Sequence, residues 1–360
     1  MTQTLVAIGT RKGLWLARSD DRRAWTLDPP HFLMSEVASV AIDTRSEGPR
    51  LLVGMMSFHW GPTVARSDDL GATWADTEQG AIRFPEDTGA ALARVWALAA
   101  DPHDEEVVWA GTEPHGLWRS ADRGETFDLV RGLWDHPHRA SWGAGAGGGA
   151  IHTVLPDPAD AASMVVAMST GGVYRTLDSG RTWNASNTGI KASFMPDPWP
   201  EFGQCVHKVA RDSGSRDRLY AQNHHGVYRS DDGGGSWTSI ADGLPTDFGF
   251  AVATHPSRSE TVFLVPITAD RERIPPGAQL QVQRSTDAGD TWTTLTAGLP
   301  ATSYTDVLRD ALALDDADPA GVYVGTRNGE VYASLDEGDS FTCIATQLPD
   351  VLCVRAATVG

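Results

Sequence analysis

Apolar residues along this chain come in short runs, alternating or continuous, each ended by Gly, Pro, Asp or Ser. That punctuation predicts β-strands joined by tight turns. One stretch carries four such runs in succession: Arg94 to Pro102, Val107 to Thr112, Gly116 to Ser120 and Phe127 to Val130. The pattern returns in Leu219 to Gln222 with Gly226 to Ser230, and in Val322 to Thr326 with Glu330 to Ser334. Four short strands per unit, repeated around an axis, predict an all-β chain built as a β-propeller.

The turn after each third strand has a fixed spelling, S-x-D-x-G-x-[TS]-[WF]. Six copies start at Ser67, Ser120, Thr176, Ser230, Ser285 and Ser334, and a shorter seventh, Ser19 to Trp25, lacks the glycine. The seven starts lie 48, 53, 56, 54, 55 and 49 residues apart, so seven blades fill residues 1–360 as a single domain. An Asp side chain in such a turn accepts backbone N–H groups, Gly supplies a positive φ, and the aromatic packs between neighbouring sheets. A calcium loop does not suit the pattern, because one Asp offers too few oxygens. Leu5 to Thr10 reads as a second strand with no first strand before it, and Val351 to Thr358 as an unused first strand. Pairing the two completes blade 1 from both chain ends, closes the ring and removes the exposed edge.

Composition sharpens this picture. Gly 37, Pro 21 and Trp 13 agree with many turns and an aromatic in each unit. A formal charge of −18 argues against nucleic acid and anionic membrane as partners, since both demand clustered Lys and Arg. Cys205, Cys343 and Cys353 are odd in number and far apart, which does not suit a disulfide framework. No basic-then-apolar leader opens the chain and no long apolar stretch interrupts it, so the expected compartment is the cytoplasm. A closed ring leaves the oligomeric state open.

The repeated turns resemble those of the BNR, or Asp-box, repeat proteins. That superfamily holds sialidases, xyloglucanase-type glycoside hydrolases, sortilin-like receptors and a plant-type photosystem assembly factor. The resemblance covers the whole chain and implies the propeller, but the turns are peripheral and imply no chemistry. Sialidases carry an arginine triad, a Tyr–Glu pair and an early Arg-Ile-Pro. Here Arg273-Ile274-Pro275 sits inside an insertion of blade 6, and no Tyr–Glu pair can be placed. Xyloglucanase-type enzymes set two propellers around a cleft with two carboxylates, and this chain holds one propeller.

First strands start, and second strands end, on one face of such a ring. Aligned on their closing turns, the first strands place Ala38, Trp96, His152, His207, Phe250 and Asp310 at one channel position. The second strands place Arg11, Met56, Glu113, Ser169, Asn223 and Arg327 at the rim, with His59, His115, Thr170 and His224 just beyond. His59, His115, His152, His207 and His224 are thus expected to converge on a divalent transition metal (Zn, Fe, Cu or Ni), or each to hydrogen-bond backbone in a polar channel. Glu113 and Asp310 are the candidate catalytic carboxylates. Arg11 and Arg327 are expected to clamp an anionic small molecule, against a wall that includes Trp60 and Trp142. The insertions at 135–150 and 190–204 read as lids. The reading that follows is a metal-dependent hydrolase, lyase or oxidase acting on a small anionic substrate. A non-catalytic scaffold for a protein or small ligand, and a sialidase- or glycosidase-like hydrolase, are its alternatives.

Overall fold

The computed structural model describes residues 2–46, 48–75, 80–145 and 148–360. Seven antiparallel sheets stand around a central channel, their innermost strands being Val351–Val359, Ser35–Asp43, Arg94–Ala100, Ile151–Asp157, Val206–Arg211, Gly249–Thr254 and Leu312–Leu314. Three further strands follow outward in each blade, as the repeat predicts. In blade 2 the outermost place is a single bridge from Arg66 to Ala75, next to residues 76–79, which lie outside the described residues. The ring closes as expected: Val351–Val359 runs antiparallel to Gln3–Thr10, from the Gln3–Val359 pair to the Thr10–Val351 pair.

The repeated turn behaves as a small clamp. In blade 6 the Ser285 hydroxyl donates to Asp287 at 2.7 Å and accepts from the Gly289 N–H at 2.8 Å. The Asp287 carboxylate also accepts from the Thr291 N–H at 2.9 Å and from the Thr291 hydroxyl at 2.5 Å. Gly289 sits at φ 92°, which explains the glycine of the motif. The aromatic that follows reaches the blade before it. The Trp237 indole N–H donates to Ser186 O at 2.8 Å and that of Trp292 to Ile240 O at 2.9 Å, each carbonyl standing just past the outermost strand of the preceding blade. Trp183, Trp237, Phe127 and Phe341 are buried in the apolar layers between blades.

One irregularity positions the site. In five blades the pairing of the innermost strand skips a residue: it passes from Val37 to Ser39, Val95 to Ala97, Ile151 to Thr153, Val206 to Lys208 and Gly249 to Val252. A bulge of this kind leaves the extra residue unpaired and re-aims its side chain. The skipped residues are Ala38, Trp96, His152, His207 and Phe250 with Ala251.

Two outcomes follow for stability. Deleting 351–360 strips the partner from Gln3–Thr10 and opens the ring, so the truncated chain should lose the cooperative melting of the full one; melting within a few degrees of it would show that closure contributes little. The Asp69, Asp178 and Asp287 carboxyls are held down to about 2 by the turn hydroxyls and N–H groups they accept from. Their folded pKa lies below the unfolded value of about 4, so this stabilisation is complete above about pH 4 and disappears as pH falls toward 2. Asp287→Asn should flatten that acid limb of the melting temperature, and an unchanged limb would count against the clamp.

Candidate functional site

Four of the bulges bring a side chain to the channel mouth, where a cavity of about 560 Å³ opens. Ala38, Trp96, His207 and Phe250 line it with Asp310, so five of the six residues expected at that channel position are there. The sixth, His152, is completely buried and is not among the lining residues. Arg11, Ser169 and Arg327 come from second-strand ends, Thr170 and His224 from just beyond. The insertions contribute Gly145 and Phe194, while residues 146–147 of the glycine run lie outside the described residues.

The cavity walls form a grid of paired charges. Glu36 forms an ion pair with Arg94 at 2.8 Å and accepts from Arg11 at 3.3 Å. Asp310 sits between Lys208 at 2.7 Å and Arg355 at 2.5 Å, and these cations hold its carboxyl well below the usual range despite burial. Arg11 and Arg327 do share the rim, but the Asp350 carboxylate stands between them, 3.5 Å from Arg11 and 2.9 Å from Arg327. Burial, with Arg309 close by, pushes His207 down to about 3, and burial lowers His115 and His224. The imidazoles are therefore neutral.

The five histidines do not converge as a group. Among the described residues one set of three donors lies within 4.8 Å of one another: Cys205, His207 and His224. His115 points away, its Nε2 3.0 Å from Ser169 O and its ring 5.6 Å from that of Trp142. His152 lies within the bulge of blade 4, and His59 is exposed on a turn. Glu113 accepts from the Trp96 indole N–H at 3.0 Å instead of facing the cavity. The expected aromatic wall also moves. Trp60 is 90% exposed and Trp142, whose indole N–H donates to the Tyr174 hydroxyl at 2.9 Å, is 8% exposed, and neither lines the cavity. Phe194, Trp96 and Phe250 take that place.

Cys205 escaped the sequence reading as a site residue because it stands just before its strand, and the bulge at His207 breaks the alternation that would have put the two on one side. Glu36, Arg94 and Asp270 had no such signal, because their positions depend on partners in other blades or on an insertion. Arg273, the arginine of the Arg-Ile-Pro segment, lines the cavity with its guanidinium 5.3 Å from the Phe250 ring centre.

Fold and site together define a seven-bladed propeller with a charge-lined cavity at one mouth of its channel. No family model matches the chain. In sequence it is similar to a xyloglucanase of Hypocrea jecorina (strain QM6a), 26% identical over 310 residues, which is 72% of this chain and 33% of that protein. The chain spans about a third or less of the length of the curated relatives it matches. Solved structures share the fold. An ancestral GH74 enzyme superposes with a TM-score of 0.58 at 18% identity, over 85% of this chain and 38% of that one. YCF48 bound to D1 peptide does so with a TM-score of 0.54 at 15% identity, over 86% and 82%. These findings overturn the reading of a metal-dependent enzyme acting on a small anion, because the curated relatives are xyloglucanases.

The buried charge grid can be tested directly. Asp310→Asn leaves Lys208 and Arg355 without a counter-charge, and breaking a buried pair in this way costs about 3–5 kcal/mol. A urea midpoint that hardly moves would show that water reaches the pair and screens it.

Proposed function

We propose that the chain is a glycoside hydrolase-like propeller that binds a xyloglucan-type oligosaccharide at the channel mouth. The sequence similarity to a xyloglucanase over 72% of the chain carries this reading. The cavity supports it chemically. A pyranose ring has an apolar face and a hydroxyl edge. Phe194, 47% exposed at the cavity wall, offers a ring for the face. The Arg11, Arg94 and Arg327 guanidiniums and the Ser169 and Thr170 hydroxyls offer hydrogen bonds for the edge. In the same reading the repeated turns are Asp boxes, structural clamps remote from the saccharide.

Among the described residues three carboxylates line the cavity: Glu36, Asp270 and Asp310. Glu36 and Asp310 each face two cations, and those beside Asp310 hold its carboxyl low, which suits Asp310 to stabilise positive charge on a sugar ring. Asp270 has one partner, Arg273 at 2.9 Å, and its side chain is 43% exposed. In the free protein the Arg273 hydrogen bond holds the Asp270 carboxyl below its ordinary value; a bound saccharide that draws Arg273 away and desolvates Asp270 raises it toward the range of a proton donor. We therefore assign Asp270 the role of general acid and Asp310 that of the ionised carboxylate.

Calorimetry with xyloglucan oligosaccharides, alongside an assay for newly released reducing ends, tests both halves. Wild type should bind saturably and turn over. Phe194→Ala should weaken binding about 3–10-fold, the size of one lost ring contact. Asp270→Asn should keep binding and lose about 10²–10⁴-fold in turnover. Absence of both binding and turnover would overturn the proposal; binding without turnover would overturn the hydrolytic half.

A further inference from the structure

We propose that Cys205, His207 and His224 form a binding site for a single zinc ion at the edge of the channel-mouth cavity. The three donors lie within 4.8 Å of one another. Zinc with one thiolate and two imidazoles needs bonds of about 2.0–2.3 Å, hence donor separations of about 3.3–3.8 Å. Rotation of the Cys205 and His224 side chains by about an ångström closes that gap. Both are only partly buried at the cavity edge, while His207 is the buried, fixed member.

Local structure prepares the donors. Cys205 and His224 flank paired strands of one blade, Val206–Arg211 and Leu219–Asn223, and the His224 N–H donates to Cys205 O at 2.9 Å. Both side chains therefore hang from a hydrogen-bonded frame. The bulge at His207 turns its ring toward them, and its Nδ1 lies 2.6 Å from Gly249 O. That contact makes Nδ1 the protonated nitrogen and leaves the Nε2 lone pair free, the usual outer-sphere arrangement of a ligating histidine. The His224 imidazole has no hydrogen-bond partner among the described residues; its ring meets only the rings of Phe194, His207, His225 and Phe248.

The surroundings balance the charge. Burial raises the Cys205 thiol, the nearby Arg309 and Arg273 guanidiniums oppose that shift, and Asp270 lines the same cavity. Three protein ligands leave a fourth position directed at the cavity. This site does not rest on the saccharide reading, and no reaction is assigned to it.

The test uses the full chain, purified without a histidine tag or added metal, and titrated with zinc against a chromophoric chelator and separately with cobalt(II). Stoichiometric zinc binding and a cobalt–thiolate charge-transfer band are expected. Cys205→Ser, nearly isosteric, should abolish the band and His224→Gln should lose stoichiometric binding, whereas His115→Gln should change neither. Melting curves establish that each variant is folded. Absence of zinc binding by folded wild type would overturn the site, and so would a cobalt–thiolate band that survives Cys205→Ser.

Discussion

A four-stranded sheet whose two faces are both apolar cannot remain in water alone, and that constraint organises this molecule. Each blade buries its faces against two neighbours, so blades are stable only as a ring, and a ring of linear chain must have a seam. The repeated turn serves this requirement locally. Its Asp fixes the turn, and the turn fixes an aromatic that packs between blades; Trp237 and Trp292 also hydrogen-bond to the preceding blade, at Ser186 and Ile240. Short-range backbone chemistry is thereby converted into inter-blade registry.

Crowding at the inner edge has the second large consequence. Innermost strands come closest together around the channel, and five of them break their pairing at the same level. The unpaired residue in each is free of the strand alternation and can face the channel. Those bulges are what make a cavity instead of a continuous apolar plug, and they explain why it is lined by such dissimilar residues as Ala38, Trp96, His207 and Phe250.

Much of this was legible in the sequence because it is periodic. Seven spellings of one turn reveal the blades, and the level of the channel position follows from counting back from each closing turn. The same counting fails beyond strand ends. His115 and Trp142 lie past strand ends, and tertiary partners, Ser169 O and the Tyr174 hydroxyl, decide where they point. Glu36 and Lys208 sit within innermost strands, yet nothing local marks them, because what matters is the cation or anion each meets on another blade. The metal-centred enzyme expected from five histidines failed for a related reason: sharing a face is weaker than sharing a point, and only His207 and His224 meet, with a cysteine as the third donor.

The pairing of Gln3–Thr10 with Val351–Val359 is held by hydrogen bonds and packing alone, with no peptide bond across it. The cavity lies over that seam. Arg11 belongs to one side of it; Asp350 and Leu352 belong to the other, and Arg327 joins Asp350 from the adjoining blade. A molecule lodged there touches both sides at once and acts as a buckle. Occupancy of the mouth is therefore linked by mass action to opening of the ring, and any ligand that prefers the closed form lengthens the lifetime of the whole fold.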